Sequence, residues 1–311
     1  MSTIVKKRIR LKIKIKWKNF IIFLIILFLI IFGIIKLITG IVRIINPPKT
    51  IKEKPVTAKK INTNKEIKLA KLDNIDKEIN YFNMDYLDRY VLYKEDNPEM
   101  PTKQVIKNVN MNLDQEFYKD SKEARNQNTE KILVNKYYYL GKDYVPNNLE
   151  NISTRYALSN MKMVKEAKNA FEELASTAKE EKLNIIAMST YRSYEYQVNL
   201  YNRYVRSDGK EKADTYSGRP GHSEHQTGLA VDVYNGKENY TNFEKTKEFE
   251  WMKKHAHEFG FILRFPKNKE SETGYIYEAW HYRYVGKEVA AYIKEHDISF
   301  EEYYATIIKD W

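Results

Sequence analysis

His225 and Asp232 stand seven residues apart in the stretch Ser223-Glu224-His225-Gln226-Thr227-Gly228-Leu229-Ala230-Val231-Asp232, joined by a turn of small residues and a short apolar run. Further along, Tyr277-Glu278-Ala279-Trp280-His281 supplies a second histidine with a glutamate three positions before it. Two imidazoles and a carboxylate suffice to hold a zinc ion through three protein ligands while a fourth position stays open for water. A spare glutamate beside them can serve as general base for attack on a carbonyl carbon. The expectation is metal-assisted hydrolysis, with His225, Asp232 and His281 as ligands to one zinc ion per chain and Glu278 as base. A cation or donor must also neutralise the oxyanion. Arg192, just beyond a strand end, is the candidate.

Spacing alone leaves a second reading open, in which these histidines are ordinary surface or core residues, since His-x6-Asp is a weaker signature than H-E-x-x-H. Six histidines are present. His255 and His257 are two apart on an expected helix, so they face different sides and cannot share a metal from it. His222 borders the motif, and His296 falls in a distal turn.

The chain has 311 residues and no cysteine. Disulfides and thiolate metal sites are thereby excluded, and a zinc ion must be held by nitrogen and oxygen. The formal net charge of +11 is unevenly placed: residues 1–46 hold ten of the 53 Lys and Arg and no Asp or Glu, leaving 43 basic against 42 acidic residues elsewhere. The globular part is nearly neutral, which argues against nucleic acid as a partner.

The elements that must position the candidates read as α+β. Asn160 to Leu183 has helical apolar spacing, and Asn184 to Met188 reads as a buried strand. Ser193 can cap the next helix, and residues 207–222 read as a polar loop. Leu229 to Tyr234 is a strand with Ala230, Asp232 and Tyr234 on one face. Thr241 with Glu244 suggests a capping box for a helix reaching about Phe259, which Gly260 stops. Phe261 to Arg264 and Tyr275 to Tyr284 read as further strands, residues 266–274 as a polar loop, and Lys131 to Lys136 with the tyrosine run Tyr137 to Tyr139 as a strand or extended edge. Two helices finish the chain, the last opened by Ser299 with Glu302. A small, mostly antiparallel sheet with packed helices is expected to carry the site.

Residues 1–19 are a basic tail, and 20–46 an apolar segment expected to anchor the chain in a membrane. Phe20 to Ile35 alone spans about 24 Å as a helix. The run beyond Lys36 extends it toward the ~30 Å hydrocarbon core, with the lysine snorkelling. The run is long for a signal peptide, and no A-x-A-like cleavage site follows it. The basic excess before the span predicts a cytoplasmic N-terminus and an extracellular remainder. Residues 47–74 read as a linker, 75–130 as an N-terminal extension and 131–311 as the domain that carries the chemistry.

Two composite motifs, Ser223-x-His225-x-x-Gly228-x-Ala230-x-Asp232 and Glu278-x-Trp280-His281-x-Arg283-Tyr284-Val285-Gly286, resemble those of the VanY-type D-alanyl-D-alanine carboxypeptidases. These are zinc peptidases of the superfamily shared with lysostaphin and hedgehog domains. Tyr191-Arg192-Ser193 with Gln197, Pro220-Gly221, Gly260-Phe261-Ile262-Leu263-Arg264, and Leu133-Val134-Asn135-Lys136 with Tyr144-Val145-Pro146 extend the likeness over roughly residues 105–290. Thr190 replaces the usual serine or glycine.

The resemblance implies that His225, Asp232 and His281 hold zinc, that Glu278 is the base and that Arg192 stabilises the oxyanion. It places Ser223 and Gln197 at positions that line the substrate cleft. The implied reaction is release of the C-terminal D-alanine from peptidoglycan stem peptides by a D,D-carboxypeptidase, with no obligate protein partner. An L,D-carboxypeptidase acting on tetrapeptides, or a zinc-bearing module that binds wall peptide without cutting it, are the competing readings.

Overall fold

The protein is described by a computed structural model, over residues 68–72 and 79–309. The basic tail, the apolar segment 20–46 and most of the linker lie outside the described residues. Among the described residues no helix is long and apolar enough to cross a membrane.

Toward the N-terminal side of the described residues stands a helical pair, α1 (Leu87–Asp96) and α2 (Thr102–Asn110). Leu87, Tyr90, Val91, Val105, Ile106 and Val109 close on each other as a separate small core. Two minor ladders follow. One is the parallel pair β1 (Lys122–Glu123) and β2 (Tyr138–Tyr139); the other is the antiparallel pair β3 (Leu149–Asn151) and β4 (Lys162–Val164). Of Lys131–Tyr139, expected as a strand or edge, only Tyr138–Tyr139 joins a ladder.

Helix α3 (Lys165–Glu180) buries Ala167, Ala170, Phe171, Leu174, Ala175 and Ala178, the stripe that its periodicity predicts. Phe171 meets Phe261 edge-on at 6.2 Å, so the helix packs on the sheet, where each fully buried Leu or Phe contributes roughly 1.5–3 kcal/mol. The helix starts five residues later than expected from Asn160. Asn160 has a left-handed backbone (φ 65°), and the main chain of 162–164 is committed to the ladder with β3 and to a bond from Val164 N to Gly228 O (3.0 Å).

The main sheet comprises β5 (Ile186–Ser189), β6 (Ala230–Tyr234), β7 (Phe261–Leu263) and β8 (His281–Tyr284), in the order β5-β6-β8-β7 with every neighbour antiparallel. Strand β6 is central, and Ala230, Val231 and Val233 are fully buried. Between β5 and β6 come α4 (Tyr194–Asp208), capped by Ser193 Oγ accepting from Tyr196 N, and α5 (Lys210–Tyr216). The expected loop 207–222 is thus partly helical. Gly209, at φ 82°, breaks α4 and lets α5 start, burying only Ala213, so no apolar period announces it.

Helix α6 (Lys247–His255) is capped by Thr246, whose side chain accepts from Phe249 N, not by Thr241. The hydroxyl of Thr241 is engaged with Asn239 (3.0 Å), which caps a 3-10 turn over 240–245. A second 3-10 turn reaches Phe259 and ends at Gly260 in the left-handed region. The expected loop 266–274 includes the short helix α7 (Glu270–Thr273), and the expected strand from Tyr275 is confined to β8. Helices α8 (Lys287–His296) and α9 (Phe300–Tyr303) follow, with Ser299 capping α9 through Glu302 N. The architecture is α+β, as the sequence implies.

Candidate active site

The row Ser189–Asp232–His281 crosses three strands. Asp232 is the register partner of His281 on β8 and of Ser189 on β5, where the β5–β6 register shifts between Ala187 and Ser189. Directly opposed antiparallel residues project to the same face, so Asp232 and His281 meet: His281 Nδ1 lies 2.8 Å from Asp232 Oδ1. His225 arrives from the 3-10 turn Glu224–Thr227, which Gly228 ends at φ 70° and returns to β6. Its Nδ1 lies 2.7 Å from Thr190 O. A carbonyl only accepts, so that nitrogen carries the proton and Nε2 keeps its lone pair. Nε2 stands 3.3 Å from Asp232 Oδ2.

One ligand atom from each of His225, Asp232 and His281 lies within 4.8 Å of the others, and all three residues are buried. His225 Nε2 is buried with no hydrogen-bond partner. An orphaned imidazole nitrogen beside a carboxylate is what a metal ligand looks like without its ion, and the nitrogen and oxygen donors suit zinc in a chain without thiolates. The charges agree with this. Burial opposes ionisation of Asp232, but the His281 ring against Oδ1 outweighs it and holds the carboxyl well below its usual range. Burial, helped by the Arg192 guanidinium, depresses His225 to about 4, so the ring is neutral at pH 7.

Glu278 stands three residues before the start of β8, with Oε2 3.9 Å from His281 Nδ1. Burial, reinforced by Asp232, lifts its carboxyl to about 8. Arg192 is held at three points: Nε donates to Ser189 Oγ, Nη1 to Gln197 Oε1 and Nη2 to Asp232 Oδ2, each at 3.1 Å. These residues open on a cleft of about 480 Å³ that is also lined by Ser223. Tyr240 and Trp280, edge to face at 5.0 Å, and the exposed Tyr196 form part of its wall.

Gln197 does not line the cleft. It is 1 % exposed and sits behind Arg192, its Nε2 donating to Gly218 O (2.7 Å). His222 borders the cleft, while its Nδ1 lies 2.8 Å from Asn135 O. His255 and His296 pair locally, with Glu258 and the Tyr292 carbonyl.

One group with no role assigned from sequence is Glu224. Its Oε1 accepts from Arg264 Nε (2.8 Å) and Arg283 Nη1 (3.0 Å), and Arg264 also forks onto Glu301 of α9 (2.6 and 2.8 Å). All four side chains are buried. Glu224 adjoins His225, which is the only hint in the sequence. Nothing in spacing says that residues 40 and 59 positions later converge on it, or that a residue 77 positions later backs one of them.

Comparison with known proteins bears on this geometry. Residues 160–287 match the family model VanY, D-alanyl-D-alanine carboxypeptidase. The chain is 38% identical over 221 residues to the putative carboxypeptidase YodJ of Bacillus subtilis (strain 168), covering 65% of this chain and 79% of that one. It is similar to the solved LdcB LD-carboxypeptidase (37% identity, 61% of this chain, 92% of that chain, TM-score 0.57). It is also similar to VanYB, solved in complex with D-alanine-D-alanine (31% identity, 57% and 98%, TM-score 0.50). The two motifs that meet at the cleft floor fall inside the matched region, and the chain belongs to the VanY family of D-alanyl-D-alanine carboxypeptidases.

Proposed function

We propose that the protein is a zinc carboxypeptidase that releases the C-terminal D-alanine from peptidoglycan stem peptides. The observation that carries this reading is the convergence of His225, Asp232 and His281 with Glu278 at the floor of one cleft. When bound, zinc supplies Lewis acidity toward the scissile carbonyl and lowers the pKa of water. The chain's own residues do the rest. Glu278, beside His281 at the cleft floor, accepts a proton from the attacking water in its carboxylate form and returns it to the departing D-alanine amine. Arg192 turns a guanidinium N–H toward the oxygen that gains charge, its plane fixed by Ser189 and Gln197. Ser223 contacts the substrate from the cleft wall, and Gln197 acts through Arg192.

The family and the likeness to VanYB support D,D cleavage of the pentapeptide. The higher TM-score with LdcB supports a second reading, L,D cleavage of the tetrapeptide by the same groups. The substrate of either reaction lies outside the cell. This accords with residues 20–46 as a membrane anchor, 47–74 as linker, 75–130 as extension and 131–311 as catalytic domain facing outward.

The test offers the zinc-loaded protein stem peptides ending in L-Lys-D-Ala-D-Ala or L-Lys-D-Ala and measures free D-alanine, with Glu278→Gln alongside. Release from the pentapeptide alone, lost in the variant by roughly 10²–10⁴-fold, is the expected result. Release from the tetrapeptide alone selects the L,D reading. No release from either peptide, with zinc bound, would overturn both and leave a binding module.

A further inference from the structure

The two histidine ligands differ in what fixes the nitrogen facing away from the metal position. For His225 it is the Thr190 carbonyl, 2.7 Å from Nδ1. For His281 the ring is turned the other way. Nδ1 faces Asp232 Oδ1 (2.8 Å) and Glu278 Oε2 (3.9 Å), and Nε2 points back to Glu224 Oε2 at 3.5 Å. Those last two atoms, His281 Nε2 and Glu224 Oε2, are both buried and both without a hydrogen-bond partner. Two buried orphans facing each other, a donor and an acceptor, complete one bond with a shift of a few tenths of an ångström. Left unpaired, each would keep its desolvation penalty with no bond to offset it.

Glu224 is built for that task. Its Oε1 is occupied by Arg264 and Arg283, which leaves Oε2 for His281. Arg283 is fixed further by donating to Ile132 O (2.7 Å) and Glu130 O (3.1 Å). Arg264 is fixed by both oxygens of Glu301. If Glu224 served only to neutralise two buried arginines, its second oxygen would not need to face an imidazole. A carboxylate behind a ligating histidine sets the tautomer, orients the ring and raises its basicity.

We propose that Glu224 is a positioning residue for the metal centre. It accepts the Nε2–H of His281 so that Nδ1 of that ring faces the ion, and Glu301 on the C-terminal helix holds it in place through Arg264. The inference rests on the functional reading above. It extends the machinery of the site to residue 301, beyond the end of the family match at residue 287.

The test uses the full-length protein labelled with ¹⁵N-histidine, whose six histidines can be assigned one by one. In the zinc-loaded wild type, long-range ¹⁵N–¹H spectra are expected to show His281 protonated on Nε2, with that proton slow to exchange. A His281 proton on Nδ1, or a freely exchanging Nε2–H, would overturn the proposal. Zinc affinity is then measured by competition with a chromogenic chelator. Glu224→Gln is expected to weaken binding about 10- to 100-fold, and Glu301→Gln in the same direction by less. A folded Glu224→Gln protein with wild-type affinity would overturn the proposal while leaving the functional reading intact. Glu224→Gln sets two buried guanidinium groups against a neutral amide. If it does not fold, the wild-type spectrum and Glu301→Gln decide. A wild type that binds no zinc would overturn the functional reading, and the inference with it.

Discussion

Asp232 and His281 are register partners across β6 and β8, and their side chains touch, Oδ1 to Nδ1, at 2.8 Å. Sheet pairing itself therefore assembles two of the three candidate ligands, and the turn closed by Gly228 delivers the third. Asp232→Asn keeps the shape of the side chain and removes its charge. It is expected to weaken zinc binding by more than the ~100-fold typical of losing an outer-shell partner and to abolish D-alanine release. Chelator competition on the folded variant checks this, and wild-type affinity would remove Asp232 from the ligand set.

Arg192 is anchored through all three of its nitrogens, to Ser189, Gln197 and Asp232. A lysine reproduces the charge but not the planar fork. Arg192→Lys is expected to lower kcat on the stem peptide by roughly 10²–10³-fold with a smaller change in KM and with zinc still bound. Gln197→Leu frees one anchor without touching the cleft and is expected to lower kcat in the same direction by less. A loss confined to KM in both variants would make Arg192 a substrate clamp, not an oxyanion donor.

The parts of the site carried by local pattern were legible in the sequence. Ser223 to Asp232 combines a turn and a strand in one stretch, and Glu278 to His281 leads into another, so their types and periods gave both placement and chemistry. The start of α3 is not legible because Met161 and Val164 continue its apolar period, yet the backbone of 162–164 is spent on the ladder with β3 and Met161 O accepts from Ile152 N. Helix α5 was missed because it buries a single alanine. Gln197 was expected in the cleft wall, but its amide faces inward to Gly218. The Glu224–Arg264–Arg283–Glu301 cluster was invisible for a different reason. Buried ion pairs between distant positions leave no periodic mark, and only the register of β7 and β8 and the docking of α9 bring them together.

Gly228 has two demands on it. Its φ of 70° lies in the left-handed region, and a Cβ there would stand 2.9 Å from Leu149 Cδ2 and 3.1 Å from Val164 Cγ2. Gly228→Ala is expected to cost roughly 1–3 kcal/mol of stability and, because this residue sets the return from His225 to β6, to weaken zinc binding as well. Chemical denaturation gives the first quantity and chelator competition the second. A variant as stable as the wild type would show that the turn relaxes without cost.

Asp214 on α5 ties down the segment that supports Gln197. It accepts from Arg219 at 2.7 and 3.0 Å and from Tyr201 Oη at 2.6 Å, and Arg219 lies 3.8 Å over the Tyr118 ring. Burial would lift its carboxyl, but the Arg219 guanidinium and the Tyr201 hydroxyl outweigh it and hold the group below its ordinary 3.8. A carboxyl with a depressed folded-state pKa contributes stability that is present above its unfolded value and lost as pH falls through the folded one. Asp214→Asn is therefore expected to lower Tm at pH 7, and the gap from wild type should narrow as pH drops below about 4, where the carboxyl of the unfolded chain begins to take up its proton, and close only below the depressed folded-state value. Ser217 and Gly218 follow directly on α5 and hold Gln197, so the variant should also lose part of its kcat at pH 7 with zinc still bound. Parallel melts of both proteins from pH 7 to pH 3 check the sign, and a gap that stays constant over that range would mean that Asp214 acts through shape alone.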